Sequence, residues 1–127
     1  MEEIGILLYG YVEEDARLIH DTLEKLLSWD IVLISASGRE DSTVAQVLDG
    51  DHENCFENRG IKFLMFLGFD DDLIEKSLKG FPRKEHLARP IFCGLTENNY
   101  NWTIAFLAEH LLEEKRSWSA EDKPKEQ

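Results

Sequence analysis

The sequence predicts an α/β protein with three layers, built on a mainly parallel four-stranded sheet in the order β-α-β-α-β-α-β-α. Two observations lead to this fold class. Four short apolar runs are nearly continuous, as expected of strands buried on both faces. The stretches between them repeat apolar residues at the spacing of an amphipathic helix. Similarity between the two halves of the chain adds a third observation.

Each predicted strand is bounded by residues that interrupt a sheet. Gly10 closes the first strand, small residues follow the second, and Gly68 closes the third. Pro90 begins the fourth, where a missing backbone N–H is tolerated. The predicted strands are Ile4–Tyr9, Ile31–Ile34, Ile61–Leu67 and Pro90–Cys93.

The predicted helices carry recognisable start and stop signals. Acidic residues open the first and third helices, where they interact favourably with the helix dipole. Asp41 or Ser42 is the expected cap of the second helix, and Pro82 ends the third. The predicted helices run from Val12 to Leu27, from Asp41 or Ser42 to about Leu48, from Asp70 to Phe81, and from about Asn101 to Arg116.

The two halves resemble each other. Ile6–Tyr11 aligns with Leu64–Phe69 at an offset of 58 residues, and Thr43–Ala45 aligns with Thr103–Ala105 at an offset of 60. Half-repeats over 4–50 and 61–114 would explain this pattern, and so would the general likeness of any two βαβα units. We predict a single α/β domain over 1–116 and a flexible tail over 117–127, in which Trp118 either folds back or meets a partner.

Composition excludes several classes of function. The chain has 14 Lys and Arg against 26 Asp and Glu, a net charge of −12, which disfavours binding to nucleic acid or to an anionic membrane. It shows neither a signal peptide nor an apolar span. Cys55 and Cys93 lie too far apart for a redox or zinc motif. We therefore expect a cytoplasmic protein with reduced thiols.

A ligand site is expected beyond the carboxyl ends of the strands, which meet at one edge of a parallel sheet. Asparagine amides in the last loop could orient an anionic or amide-bearing molecule against aromatic side chains. Alternatively, the asparagines cap the last helix and Trp102 packs beneath the loop. The candidate ligand-binding residues are Tyr11, Gly68, Phe69, Thr96, Asn98, Asn99, Asn101 and Trp102.

Signals for catalysis and metal binding are weak, and we assign no catalytic residue, metal or cofactor. No glycine-rich phosphate loop and no nucleophile elbow occur in the sequence. The run Asp70–Asp72 could bind Mg²⁺, although helix capping explains it more simply. Asp51, His52 and Cys55 are zinc-ligand types, but a solvated loop is the favoured interpretation.

The last third of the chain resembles an uncharacterised microbial family, a domain of unknown function (DUF3783), over about residues 61–114. The resemblance rests on a Gly-Phe-acidic turn, a strand followed by Thr, and an Asn-x-x-Trp-Thr helix start. It implies that Thr96, Asn99 and Trp102 belong to a shared motif, and it implies no activity. Glu97 and Asn98 stand where members of the family have Pro and Thr.

Two functional hypotheses follow. The first is a non-catalytic binding or regulatory module that contacts a protein partner or a second copy of itself, for instance through a sheet edge. The second is a small anionic ligand-binding protein or an enzyme, with its site at the carboxyl ends of the strands. The small size and the missing catalytic motifs favour the first.

Overall fold

A computed structural model describes residues 3–50 and 54–125, with side chains described up to residue 116. Asp51, His52 and the side chain of Trp118 therefore lie outside the described part. The strands are β1 (Ile4–Tyr9), β2 (Ile31–Ser35), β3 (Phe63–Leu67) and β4 (Ile91–Gly94). The helices are α1 (Glu13–Leu27), α2 (Val44–Asp49), α3 (Asp71–Gly80) and α4 (Ile104–Lys125), and a 3₁₀ turn spans Asn99–Asn101.

The α/β class is confirmed, and the sheet is mixed. Its strand order is β2-β1-β3-β4. The β1–β2 and β3–β4 pairs are parallel, whereas the central β1–β3 pair is antiparallel and brings Leu7 opposite Met65. The prediction of a mainly parallel sheet, with the carboxyl ends of its strands at one edge, is therefore wrong at the central pair.

The connection that precedes β3 accounts for this reversal. The Arg59 N–H donates to the carbonyl oxygen of Gly10 at 3.0 Å, just beyond the carboxyl end of β1. The chain therefore enters β3 where β1 ends, and β3 must run back along β1 in the opposite direction. A crossover of the usual βαβ kind would have returned the chain to the other end of the sheet.

Helices cover both faces of the sheet, because alternate strand residues point to opposite sides. Even-numbered β1 residues pack with α1 and α3, and Leu7 and Tyr9 pack with α2 and α4. All six residues of β1 are buried. Among the described residues, no helix is both long and apolar enough to cross a membrane.

Several helix boundaries differ from the predicted ones. Thr43 caps α2, in place of Asp41 or Ser42, through a capping box with Gln46. Helix α4 begins at Ile104 and continues to Lys125, past its predicted end. Asp70 caps α3 by accepting the Leu73 N–H at 2.8 Å, which supports the capping interpretation of that acidic run.

The two βαβα units contact each other reciprocally. Thr43 and Thr103 form an isolated antiparallel bridge, and each accepts the N–H three residues further along. The hydrogen bonds beside the bridge run from Val44 N–H to the Trp102 carbonyl (2.9 Å) and from Ile104 N–H to the Ser42 carbonyl (2.8 Å). These pairs have the symmetry of an approximate two-fold axis. A common origin of the halves stays a prediction.

The Gly10→Ala variant tests the entry into β3. Gly10 has φ +92°, and a Cβ there would meet the carbonyl oxygen of Ile61. We expect a loss of at least about 2 kcal/mol in the free energy of unfolding, from left-handed strain and the backbone clash. Urea denaturation measures it. The matched control is Gly94→Ala, where a Cβ meets nothing within 4 Å; equal stability of the two variants would contradict this account.

Candidate functional site

The antiparallel centre of the sheet divides the predicted site between two ends of the molecule. Tyr11 follows β1 at one end, whereas Gly68, Phe69 and the loop after β4 lie at the opposite end. Phe69 packs with the α1 and α3 face, and Trp102 packs with the α2 and α4 face. The predicted convergence of all four strand ends is therefore wrong. At the shared end, Phe69 and Trp102 lie on opposite faces of the sheet.

Thr96 and Asn99 hydrogen-bond to each other. The Thr96 N–H donates to Asn99 Oδ1 (2.9 Å), and the Asn99 N–H donates to Thr96 Oγ1 (3.1 Å). The Asn99 amide also donates to the Gly94 carbonyl (3.0 Å). Asn99 is buried, while Asn98 and Asn101 are exposed. The polar groups of the shared motif thus shape the loop after β4.

The aromatic residues of the predicted site pack within the protein. Trp102 contacts the rings of Phe106 and His110 edge-on, at centroid distances of 4.9 and 4.7 Å. Tyr11 is buried, and its hydroxyl donates to the Ala88 carbonyl at 2.6 Å. Burial raises the pKa of Tyr11, so the hydroxyl keeps its proton.

A polar cluster at the carboxyl end of β1 was not found by sequence reasoning. The Tyr9 hydroxyl and Arg59 Nε both donate to Glu40 Oε2, at 2.8 and 3.1 Å. Arg59 also pairs with Glu57. Burial alone would raise the pKa of Glu40, but the hydrogen bonds from Tyr9, backbone N–H groups and Arg59 lower it. This cluster fastens the connection into β3 to the end of β1.

One group of described residues has the geometry of a metal site. The ligand atoms of His20, Asp21 and Glu24 lie within 4.8 Å of one another. However, His20 Nε2 lies 2.7 Å from the Ile31 carbonyl, which can only accept, so this nitrogen carries the proton. Glu24 accepts the Ile31 N–H at 2.9 Å. These contacts attach α1 to the first residue of β2.

The outer edge of β2 is closed by side chains. Asn54 Oδ1 accepts the Ser35 N–H at 3.0 Å, and the Asn54 amide donates to the Leu33 carbonyl at 2.9 Å. Together with the bonds of Ile31 to His20 and Glu24, these contacts engage at least one backbone group of each outward-facing residue of β2, namely Ile31, Leu33 and Ser35. Such coverage keeps a strand from pairing with another chain.

The outer edge of β4 is open. The Ile91 N–H donates to the Lys62 carbonyl at 2.9 Å, and alternate residues of a parallel ladder bond to the same neighbour. The backbone groups of Phe92 and Gly94 therefore face away from β3. Among the described residues, only Asn99 bonds to this edge, through the Gly94 carbonyl. We call this strip, from Phe92 to Gly94, the open edge.

The surroundings of the open edge leave room for a partner. A Cβ at Gly94 would meet nothing within 4 Å, and Leu95 is 41% exposed. The Arg89 guanidinium lies over the rings of Phe92 and Phe81, at 5.0 and 5.4 Å. Burial raises the pKa of the Cys93 thiol to about 12, so the thiol keeps its proton at neutral pH.

In comparisons with known proteins, only the second half of the chain finds a match. Residues 62–117 match the family described as a domain of unknown function (DUF3783). The matched segment spans β3, α3, β4 and the first part of α4, so it contains the open edge and the loop built by Thr96 and Asn99. No curated protein and no solved structure matches the chain.

The Asn54→Ala variant tests how β2 is closed. Losing both hydrogen bonds exposes the strand edge, and each bond contributes about 0.5–1.5 kcal/mol. We expect lower stability in urea and concentration-dependent self-association in sedimentation velocity. Asn98→Ala removes an exposed amide for which no hydrogen bond to another described residue is found, and it serves as control. Wild-type behaviour of Asn54→Ala would rule out this role.

The Tyr9→Phe variant tests the polar cluster through pH. Burial, the main cause, and the neighbouring Glu40 raise the pKa of Tyr9 from 10.0 to about 12. The unfolded chain therefore releases this proton first, so stability present below pH 10 falls between about pH 10 and 12. Tyr9→Phe should show a smaller decline over that range in chemical denaturation, whereas Tyr100→Phe should match wild type. An unchanged profile in Tyr9→Phe would show that Tyr9 does not contribute.

Proposed function

We propose that this chain is a non-catalytic protein-binding module that acts through its open edge. An extended segment of a partner protein would lie beside β4 and continue the sheet by one strand. The observation that carries this proposal is the unequal treatment of the two sheet edges. Three side chains, those of His20, Glu24 and Asn54, bond to the outer edge of β2. Among the described residues, one side chain, that of Asn99, bonds to the outer edge of β4.

The open edge offers a short set of hydrogen-bonding groups. These are the N–H and carbonyl of Phe92 and the N–H of Gly94, which an added strand would engage. Three such bonds contribute roughly 2–4 kcal/mol net. Side-chain contacts must therefore supply much of the affinity, and the exposed side chains of Arg89 and Leu95 flank the strip. The expected complex is reversible and selective.

The same loop geometry weakens the ligand-binding alternative. Thr96 and Asn99 already use their polar groups within the loop, and Tyr11 lies at the other end of the sheet. A small anionic ligand would thus meet only the exposed amides of Asn98 and Asn101. For the location of the module we propose the cytosol, where the free thiols of Cys55 and Cys93 remain reduced.

Substitution at Gly94 tests the proposal. Gly94→Pro removes the edge N–H without breaking the β3–β4 ladder, since this N–H faces away from β3. A short fluorescein-labelled peptide of alternating Thr and Val is the probe, and fluorescence anisotropy is the measurement. We expect Gly94→Pro to weaken binding at least about tenfold, equivalent to about 1.4 kcal/mol.

The matched control is Gly94→Ala, which keeps the N–H and adds a methyl group in open space. It should bind the peptide as wild type does. Circular dichroism and thermal unfolding establish that both variants are folded. Equal binding by Gly94→Pro and Gly94→Ala would contradict the proposal. So would the absence of binding by wild type to this peptide and to charged versions of it.

A further inference from the structure

We infer that the segment bound at the open edge is acidic; this inference rests on the proposed function. The connection from α3 into β4 is basic, although the chain as a whole has a net charge of −12. Residues 79–89 contain four bases and one acid: Lys79, Arg83, Lys84 and Arg89 against Glu85. One of these bases, Arg89, lies against Phe92 at the start of the open edge, and Arg83 and Lys84 precede it in the same connection.

Three of these bases are available to a partner. Arg83, Lys84 and Arg89 are exposed, and within the described residues none of them forms an ion pair with a carboxylate. Elsewhere Arg17, Arg59, Lys76 and Lys79 form ion pairs on their own helix or loop, whereas Lys25, Lys115 and Arg116 form none with a described residue but are not grouped beside a sheet edge. Carboxylates are abundant in this chain, so three unpaired bases in one connection mark a place for carboxylates from outside.

Arg89 is held where a partner strand would pass. Its guanidinium lies 5.0 Å from the ring centroid of Phe92, the first residue of the open edge, and donates to the Leu78 carbonyl at 3.2 Å. Stacking on an aromatic face orients the planar group and limits the entropy lost on binding. A carboxylate on the added strand could then accept two parallel hydrogen bonds from it.

The negative charge on the rest of the surface determines how binding of an acidic segment depends on salt concentration. A strongly negative body repels an acidic segment at long range, whereas the bases beside β4 attract it at short range. At about 0.1 M salt the Debye length is about 10 Å, so the long-range repulsion is screened more than the direct contacts. We therefore expect the preference for an acidic segment to be greatest near physiological ionic strength.

Three labelled peptides test the inference at that ionic strength. They alternate Val with Glu, with Thr or with Lys, so the Glu and Lys peptides have similar strand propensity and opposite charge, and the Thr peptide is a neutral reference with higher strand propensity. We expect wild type to bind the Glu peptide about fivefold more tightly than the Thr peptide, and the Lys peptide least, as is usual for exposed ion pairs. The Glu peptide should bind Gly94→Pro much more weakly than Gly94→Ala.

A charge-reversed variant identifies the bases responsible. Arg83→Glu/Lys84→Glu should lose the preference for the Glu peptide while binding the Thr peptide as wild type does. Lys25→Glu/Lys115→Glu makes the same change in net charge at other exposed positions and should keep the preference. Loss of the preference in both double variants would show that net charge alone decides it, which would overturn the inference.

The remaining outcomes separate the inference from the proposed function. If all three peptides bind equally and Gly94→Pro weakens each of them, the acidic partner is wrong and the open edge stands. If no peptide shows binding that depends on Gly94, both are wrong. Two results would overturn the inference but not the open edge. One is equal competition by single-stranded oligothymidylate, which would indicate a general polyanion site. The other is a wild-type dimer that Gly94→Pro no longer forms.

Discussion

The antiparallel pairing of β1 with β3 is the constraint on which the rest of this structure depends. It joins the two parallel strand pairs side by side in one sheet, in opposite directions, and it buries every residue of β1. It also sends the carboxyl ends of the two pairs to opposite ends of the sheet, so loops that would share a crevice in a parallel sheet are separated. This separation is why the binding surface proposed above is a sheet edge and not the strand ends.

The two edges differ although the units that carry them contact each other reciprocally. In the Thr43–Thr103 bridge and its flanking hydrogen bonds, equivalent residues of the two halves make equivalent contacts. At the outer strands this equivalence ends: His20, Glu24 and Asn54 bond to β2, whereas among the described residues only Asn99 bonds to the outer edge of β4. Exposed edges expose a protein to unwanted pairing, so under the proposed function strand addition would be confined to β4.

Local patterns account for the parts of the site that could be predicted. Thr96 and Asn99 stand three residues apart, a spacing at which side chains bond to neighbouring backbone, and both lie in the segment that matches the family. The contacts of Asn54 with β2 and of Arg59 with Glu40 span 19 to 21 residues. No periodicity or motif relates such positions, so the polar cluster and the closed edge could not be predicted.

The sequence by itself determined the number and approximate position of the strands and helices, because apolar periodicity, capping residues and glycines act over a few neighbouring residues. Tertiary structure alone decided the direction of β3, the faces on which Phe69 and Trp102 lie, and the edge left unpaired. These features depend on where the long connection before β3 returns to the sheet. That return is set by contacts between residues far apart in the chain, such as Arg59 with Gly10, which leave no local signature.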